Sequence, residues 1–303
     1  MALLVLAAAT VALLAGCSAP ARSRPSAELA PARGALRQAA APAPAVAVDP
    51  ALFAPGACIA LAPRAGNRHQ TVFLDPGHGG PDTGAVGRTT GGKTIYERDV
   101  TLPVALDTAA LLRRDGYRVV LSRTAGTTVT RLRPGVESGG VFTVAGAHDD
   151  LLARVECANL AHAAVLVSIH FNGDSDPSAS GAMTFYDPAR WFAASNLHLA
   201  RLLQADIVSA LAAGGWTALN RGVRSDATAD APALSAQGAA YGHFDVLGPR
   251  LAGYVPVPSQ MPGALVEPLF ITDPAGADVA AGRAGHAAIA RGIAAAIGSY
   301  LGG

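Results

Sequence analysis

Thr71-Val-Phe-Leu-Asp-Pro-Gly-His-Gly-Gly80 is the stretch that decides the fold. Its residues 72–74 form a short apolar run that is typical of a buried strand. The Pro-Gly pair that follows ends the strand, because proline has no N–H to donate to a sheet ladder. His78 is therefore placed on a glycine-rich loop at the carboxyl end of a strand, which is where open α/β sheets bind ligands.

Strand and helix patterns alternate along the rest of the chain. Strands are predicted at 118–121, 164–170, 181–186 and 264–266, and helices at 97–114, 151–161, 196–213 and, as one helix or a pair, 277–301. Segment 124–150 is expected to be an irregular insertion with a hairpin at its Gly-Gly pair. The poorly patterned segment 223–260 is expected to be a long loop at the rim of a functional site. The alternation predicts an α/β fold: a single domain with a twisted, mainly parallel sheet and helices on both faces.

The composition excludes some classes of protein. The 303 residues are 50% hydrophobic and 15% charged, which is enough apolar material for a sizeable core. The formal net charge of +1 gives no strongly basic face, so nucleic-acid binding is not expected. We expect the chain to act as a monomer.

The first 17 residues are typical of an export signal. Their apolar run, 3–14, is too short to span a bilayer and is followed by small residues, although no basic residue precedes it. Leu14-Ala-Gly-Cys17 resembles the bacterial lipobox, in which the cysteine is acylated. Cys17 is therefore the expected lipid attachment site, and a plain signal peptide is the alternative. Either predicts a location outside the cytoplasm; the lipobox adds a lipid anchor to a bacterial membrane.

The mature chain is predicted to begin with a tether. Residues 18–53 are rich in Ala, Pro, Arg and Ser and bury too little surface to fold, so the folded domain is expected at 54–303. Cys58 and Cys157 remain as a possible disulfide pair in an oxidising compartment. The favoured interpretation of Cys157, which lies in a helical stretch, is a small buried apolar residue.

Four polar side chains are candidates for one site. His78 and His170 each follow a buried strand, Glu267 ends another, and Glu97 begins a helix. Since parallel strands present their carboxyl ends at one edge, the strand-end groups are expected to converge. Two imidazoles and a carboxylate are a common zinc set that leaves a coordination position for water, and a further carboxylate is then available for proton transfer.

Each of these residues has a simpler explanation when taken alone. A histidine at the end of a buried strand is commonly a hydrogen-bonded structural residue, Glu97 is favoured at a helix start by the helix dipole, and Glu267 suits a salt bridge. Their joint placement favours a metal site. The remaining histidines lack such placement and are interpreted as surface or structural residues: His69, His148, His162, His198, His243 and His286.

Five short blocks follow one another along the chain: Asp75-Pro-Gly-His-Gly-Gly80, Glu97-Arg-Asp-Val100, Ser168-Ile-His-Phe-Asn172, Asn220-Arg-Gly-Val223 and Leu265-Val-Glu-Pro-Leu-Phe270. Their order resembles a known family, the zinc-dependent N-acetylmuramoyl-L-alanine amidases of the third amidase type. The resemblance implies a phosphorylase/hydrolase-like α/β domain that cleaves peptidoglycan between N-acetylmuramic acid and L-alanine. It also implies that His78, Glu97 and His170 bind Zn²⁺ and that Glu267 is the catalytic carboxylate.

Three features differ from the usual pattern of that family. Pro268 follows Glu267 where Leu-Gly-Phe is usual, so a backbone donor is lost. Phe171 stands where relatives often have alanine and is expected to narrow the cleft. Some relatives carry a helical insertion that blocks the zinc, whereas here only 187–195 separates the strand from the next helix. We therefore expect a site that is accessible without an activator protein.

Two other classes of function stay open. The first is a zinc carboxypeptidase or another peptidase that acts on wall peptides. The second is a wall-binding lipoprotein without activity, although the retention of all four polar groups argues against it.

Overall fold

A seven-stranded mixed sheet forms the centre of the protein. The computed structural model describes residues 50–229 and 233–302, so Cys17 and almost all of the predicted signal and tether lie outside the described part. The strands of the chain are β1 Ala57–Leu61, β2 Thr71–Pro76, β3 Val86–Arg88, β4 Thr94–Tyr96, β5 Arg118–Arg123, β6 Glu137–Ser138, β7 Val141–Phe142, β8 Val165–Ile169, β9 Ala182–Tyr186, β10 Asn220–Ser225 and β11 Gly263–Glu267. The pairs β3–β4 and β6–β7 form small separate sheets.

The main sheet has the order β1-β5-β2-β8-β11-β9-β10. Strands β5, β2, β8 and β11 are parallel to one another, whereas β1 is antiparallel to β5 and β9 to β11; β10 then runs parallel to β9. The prediction of a mainly parallel sheet is confirmed. We call the edge with the carboxyl ends of β2, β8 and β11 the upper edge. The carboxyl ends of β9 and β10 lie at the opposite, lower edge.

Six helices accompany the strands in the described part of the chain. They are α1 Glu97–Arg114, α2 Val144–Leu160, α3 Ala193–Ala213, α4 Ala236–Tyr241, α5 Pro274–Ala281 and α6 Arg283–Gly302. Helix α1 has the predicted bounds and the tail is a helix pair. The prediction for 124–150 is wrong at its C-terminal end, since α2 already begins at Val144, where the Thr143 hydroxyl accepts the N–H of Gly146 at 3.0 Å. The hairpin in this segment is confirmed.

The two faces of the sheet carry separate cores. Val72 and Leu74 of β2 point to the face covered by α1, α3 and α6, while Phe73 points to the other face. That second face is covered by α2 and by residues 246–261. Helices on both faces are thus confirmed, and successive side chains of β2 supply both cores, as expected for a buried parallel strand.

Residues at the N-terminal border pack on the second face. A helical turn at Pro50–Leu52 precedes Phe53, which pairs with Thr130, so packing begins slightly before residue 54. Cys58 of β1 and Cys157 of α2 form a disulfide, with their Cα atoms 5.6 Å apart. The favoured interpretation of Cys157 as an unpaired buried thiol is therefore wrong, because β1 joins the sheet at an edge beside α2. Within the described residues no helix has the length and apolarity to cross a membrane.

Candidate active site

The His78 loop has a backbone conformation that the rest of the domain must hold in place. His78 has a φ of +60°, in the left-handed region that non-glycine residues seldom adopt. Its carbonyl accepts a hydrogen bond from Arg154 Nη2 at 2.7 Å. Arg154 itself lies in α2 and pairs with Asp75 at 2.6 Å and Asp150 at 2.8 Å. The loop is therefore fixed from beneath by a buried ion network.

A second buried arginine holds the same loop from the α1 side. Arg123, at the end of β5, donates to the carbonyls of Pro76 at 3.0 Å and Gly77 at 2.9 Å, and to Thr101 of α1 at 2.9 Å. Its side chain is fully buried. Burial lowers the pKa of Arg123 to about 10, with the charge of Arg154 acting in the same direction. These two cations hold the carbonyls of the loop in one orientation.

Three of the four predicted residues meet at one point above the upper edge. His78 Nε2 lies 3.0 Å from Glu97 Oε2, and His170 Nδ1 lies 3.0 Å from Glu97 Oε1. The two histidines approach each other to 3.1 Å between Nε2 of His78 and Nδ1 of His170. The structure therefore brings together His78 and His170, as the strand-edge argument predicted, and Glu97 reaches them from the start of α1. Each of them offers one atom that could bind a single metal ion.

Neighbouring groups fix the orientation of His78 and Glu97. Asp82 Oδ2 lies 2.8 Å from His78 Nδ1, which leaves Nε2 directed at the centre of the group. The two oxygens of Glu97 accept backbone N–H groups of Ala85 and Phe171, both at 2.9 Å. Asp82 has no separate strand signal, and sequence reasoning did not identify it.

The electrostatics show that this group of side chains favours positive charge. Burial alone would lower the pKa of His78, but the charge of Glu97 and the hydrogen bond to Asp82 outweigh it and raise the pKa to about 10. Burial alone would raise the pKa of Glu97, but His78 and His170 hold it well below its ordinary value. A buried carboxylate that stays ionised beside two imidazoles is a suitable environment for a cation.

Two glycines make room for the histidine rings, because they have no side chains. A Cβ on Gly77 would collide with the ring of His170. A Cβ on Gly84 would lie 2.6 Å from both Glu97 Oε2 and His78 Cδ2, and Gly84 has a φ of +62°. The glycines of this loop are therefore needed for close approach as well as for backbone freedom.

The fourth predicted residue, Glu267, lies beside this group without entering it. It ends β11, where Val266 pairs with Ile169, so it is level with His170 on the neighbouring strand. Asn172 Nδ2 donates to its Oε2. Burial raises the pKa of Glu267 to about 8, with the charge of Glu97 adding to the effect and that of His78 opposing it. Such a group exchanges a proton near neutral pH.

The two substitutions noted in the sequence have different outcomes. Phe171 is only 2% exposed and packs in the core, so the expectation that it narrows the cleft is wrong. Pro268 has no backbone N–H to donate, and it directly follows the last residue of β11. Backbone pairing with the segment after β8 resumes beyond Pro268. The Asn172 N–H donates to the Leu269 carbonyl, and the Ile271 N–H donates to the Asn172 carbonyl. The structure thus tolerates this proline at the margin of the sheet.

The upper edge is open to solvent at the histidines. The side chains of His78 and His170 are each 20% exposed. Residues 187–192 are the only ones between β9 and α3, and they lie at the lower edge, away from the histidines, because β9 ends there. Arg221, at the start of β10, lies at this edge and stacks over Phe270 with its guanidinium 4.8 Å from the ring centre. Its Nε donates to Ser180 at 2.6 Å.

A family model described as N-acetylmuramoyl-L-alanine amidase matches residues 72–299, which is most of the chain. The chain belongs to this family. The match begins in β2 and ends within α6, so it spans every residue of the site described above. The resemblance found in the sequence motifs is confirmed.

Other members of the amidase family match over shorter stretches. A germination-specific N-acetylmuramoyl-L-alanine amidase from Bacillus subtilis is 40% identical over 115 residues, covering 38% of this chain and 44% of that protein. The amidase AmiA from Salmonella typhimurium is 36% identical over 114 residues, covering 38% and 31%. The matched segment therefore spans less than half of the length of each of these relatives.

A solved structure of the amidase family agrees over a larger part of the chain. The amidase AmiC2 of Nostoc punctiforme has a TM-score of 0.54 and 28% identity, covering 78% of this chain and 100% of that one. An amidase from Clostridium difficile 630 gives a TM-score of 0.55, also at 28% identity. These likenesses support the α/β fold.

Proposed function

We propose that this chain is a zinc-dependent amidase that hydrolyses the amide bond between N-acetylmuramic acid and L-alanine in peptidoglycan stem peptides. The observation that carries the proposal is the meeting of His78, Glu97 and His170 within about hydrogen-bond distance of one another. The names of the relatives supply the substrate class. The two imidazoles and the carboxylate of the site support a zinc-dependent hydrolysis.

The residues present fit a zinc ion. Two imidazole nitrogens and one carboxylate are a usual set of three protein ligands for catalytic zinc. His78 and Asp82 form a carboxylate–histidine pair, the arrangement that orients ligating imidazoles in metal sites. When bound, zinc acts as a Lewis acid and lowers the pKa of its water to about 7.

The protein groups around the ion have separate tasks. Glu267 is the proposed general base and acid: it accepts a proton from the attacking water and returns one to the leaving amine. Asn172 holds its Oε2, so the other oxygen is free to exchange the proton. Arg154 and Arg123 are positioning residues, because they hold the backbone that carries His78 and contact none of the three ligand atoms.

Cellular location is part of the proposal. We place the enzyme outside the cytoplasm, attached to a bacterial membrane through lipid on Cys17, with peptidoglycan as its partner. The lipobox-like sequence supports the anchor, and the Cys58–Cys157 disulfide supports an oxidising compartment. Metabolic labelling with a fatty acid tests the anchor, since Cys17→Ser should abolish label in the chain.

The experiment that tests the activity is mass spectrometry of purified peptidoglycan after digestion with the enzyme alone, with a chelator, and with Zn²⁺ restored. We expect free stem peptides that begin with L-alanine, their loss with the chelator and their return with zinc. Release of a terminal amino acid with the glycan–peptide link intact would instead identify a carboxypeptidase. The absence of any product from a zinc-loaded, folded chain would favour a wall-binding protein, and a requirement for an added activator would contradict the accessible site.

A further inference from the structure

The lower edge of the sheet carries a second cluster of imidazole and carboxylate groups. Asp187 follows β9 and Asp226 follows β10, and these parallel strands are in register, with Ser225 opposite Tyr186. His243 reaches the two aspartates from the loop after α4. We propose that Asp187, Asp226 and His243 form a second metal site, separate from the site at the upper edge.

Each of these three side chains keeps one polar atom without a hydrogen bond. Asp187 Oδ1 accepts the N–H of Ala189 at 2.7 Å, and Asp226 Oδ2 accepts the N–H of Phe244 at 3.1 Å. The remaining atoms, Asp187 Oδ2, Asp226 Oδ1 and His243 Nδ1, are buried and have no hydrogen-bond partner among the described residues. Buried polar atoms are almost always partnered. Three unpartnered atoms at one point therefore indicate a ligand that all three share.

The distances between these atoms suit one ion. His243 Nδ1 lies 2.8 Å from Asp187 Oδ2 and 3.5 Å from Asp226 Oδ1, and all three atoms lie within 4.8 Å of one another. Ligands about 2.0–2.2 Å from a zinc ion are themselves roughly 3–3.5 Å apart. The 2.8 Å approach lacks hydrogen-bond geometry, since neither atom has a hydrogen-bond partner. Small movements of the side chains are sufficient to admit an ion.

The charges of the cluster also call for a cation. Both aspartate side chains are 0% exposed, and buried carboxylates are costly unless a positive charge compensates them. Arg190 is within electrostatic reach of Asp187, but its N–H groups donate to Leu247, Gly248 and Ser259.

The ligand types narrow the choice of ion. Calcium and magnesium favour sites made entirely of oxygen ligands. One imidazole with two carboxylates suits Zn²⁺ and its first-row divalent neighbours. We therefore assign the site to an ion of this class, with water completing its coordination.

An ion here would act on the structure of the lower edge. Glu267 pairs with Met183 at the start of β9, whereas Asp187 follows its end, so the two sites lie about 13 Å apart along the strand. The ion would join the ends of β9 and β10 to the loop at 242–248 that leads towards β11. Its expected role is to hold that loop on the sheet.

Calorimetric titration of the metal-free, full-length chain with Zn²⁺ tests the proposal. The wild type is expected to take up two equivalents, and His243→Gln one, with a lower thermal unfolding midpoint for the metal-loaded variant. The matched control is His148→Gln. His148 has nearly the same side-chain exposure, 18% against 19%, and also faces an aspartate, Asp245 at 3.8 Å, but it is in neither of the two potential metal-binding groups found among the described residues. This control should keep both equivalents.

Uptake of a single equivalent by the wild type, lost in His78→Ala/His170→Ala and kept in His243→Gln, would overturn the proposal. If His243→Gln fails to fold, the His78→Ala/His170→Ala chain decides the matter: one remaining equivalent supports the second site, and none excludes it. The outcome is independent of amidase activity. A lower-edge equivalent that depends on His243 stands even if no peptidoglycan is cleaved.

Discussion

The two edges of the central sheet each gather imidazole and carboxylate groups, but they hold them in different ways. At the upper edge two of the three ligand candidates have a supporting contact: Asp82 orients His78, and two backbone N–H groups fix Glu97. At the lower edge, one polar atom on each of Asp187, Asp226 and His243 has no hydrogen-bond partner among the described residues. The upper group is thus held partly by protein contacts, whereas the proposed lower site would need an ion to satisfy its unpartnered atoms.

The largest expected effect concerns proton transfer at the upper edge. Glu267→Gln should lower turnover on muropeptides by about 10²–10⁴-fold, because the amide cannot exchange the proton. Zinc content should be unchanged, since Glu267 contacts none of the three ligand atoms. Glu137→Gln makes the same chemical change on the exposed β6–β7 hairpin and should leave turnover unaltered. A rate for Glu267→Gln within tenfold of wild type would remove Glu267 from its role.

The next effect tests the buried Arg154 ion network that holds the His78 loop at the upper edge. Arg154→Met should reduce the free energy of unfolding by about 3–5 kcal/mol, because Asp75 and Asp150 would stay buried without their partner. Denaturant unfolding measures this change. Arg133→Met removes an exposed pair with Asp149 and should cost less than about 1 kcal/mol. Equal costs for the two variants would show that the buried network does not support the His78 loop.

A somewhat smaller effect is expected from the covalent link to α2. Cys58→Ala/Cys157→Ala should reduce the free energy of unfolding by about 2–4 kcal/mol, because the disulfide closes a long loop in the unfolded chain. Reductant should destabilise the wild type by a similar amount and leave the double variant unchanged. Since Cys157 lies one turn after Arg154 in α2, the loss should appear at the upper edge as weaker protection of the Gly77 amide from hydrogen exchange.

The smallest effect separates the two sites directly. Asp82→Asn should weaken Zn²⁺ binding at the upper edge by about 10–100-fold, because the carboxylate that orients His78 is lost. The equivalent bound at the lower edge should keep its affinity. Asp174→Asn, an exposed change at the same edge, serves as the control. If Asp82→Asn weakened both equivalents alike, the two sites would not be independent.

The site at the upper edge was largely predictable from the sequence, because parallel strands place their carboxyl ends at the same edge of the sheet. An apolar run that ends at a polar residue identifies His78, His170 and Glu267, and parallel pairing brings their ends together. The lower edge follows the same rule, since Asp187 and Asp226 also end strands. They were missed because the reversal of β9 against β11 leaves no mark in the hydrophobic pattern.

Other features could not be predicted because their signals are three-dimensional. The start of α2 lacks apolar periodicity, and Gly146 is needed there because a Cβ would collide with the Val136 carbonyl. Arg154 was missed for the same reason, since its role depends on α2 lying under the His78 loop. The disulfide required a Cα separation that spacing along the chain does not give.

The Cys58–Cys157 bond has one further consequence, which concerns cleavage of the chain by a protease. The covalent ring it closes contains both His78 and Glu97. A protease that nicks the exposed Gly139–Gly140 turn would cut inside this ring, so the two fragments would remain tethered. The nicked chain should run as one band on a denaturing gel without reductant and as two bands with it.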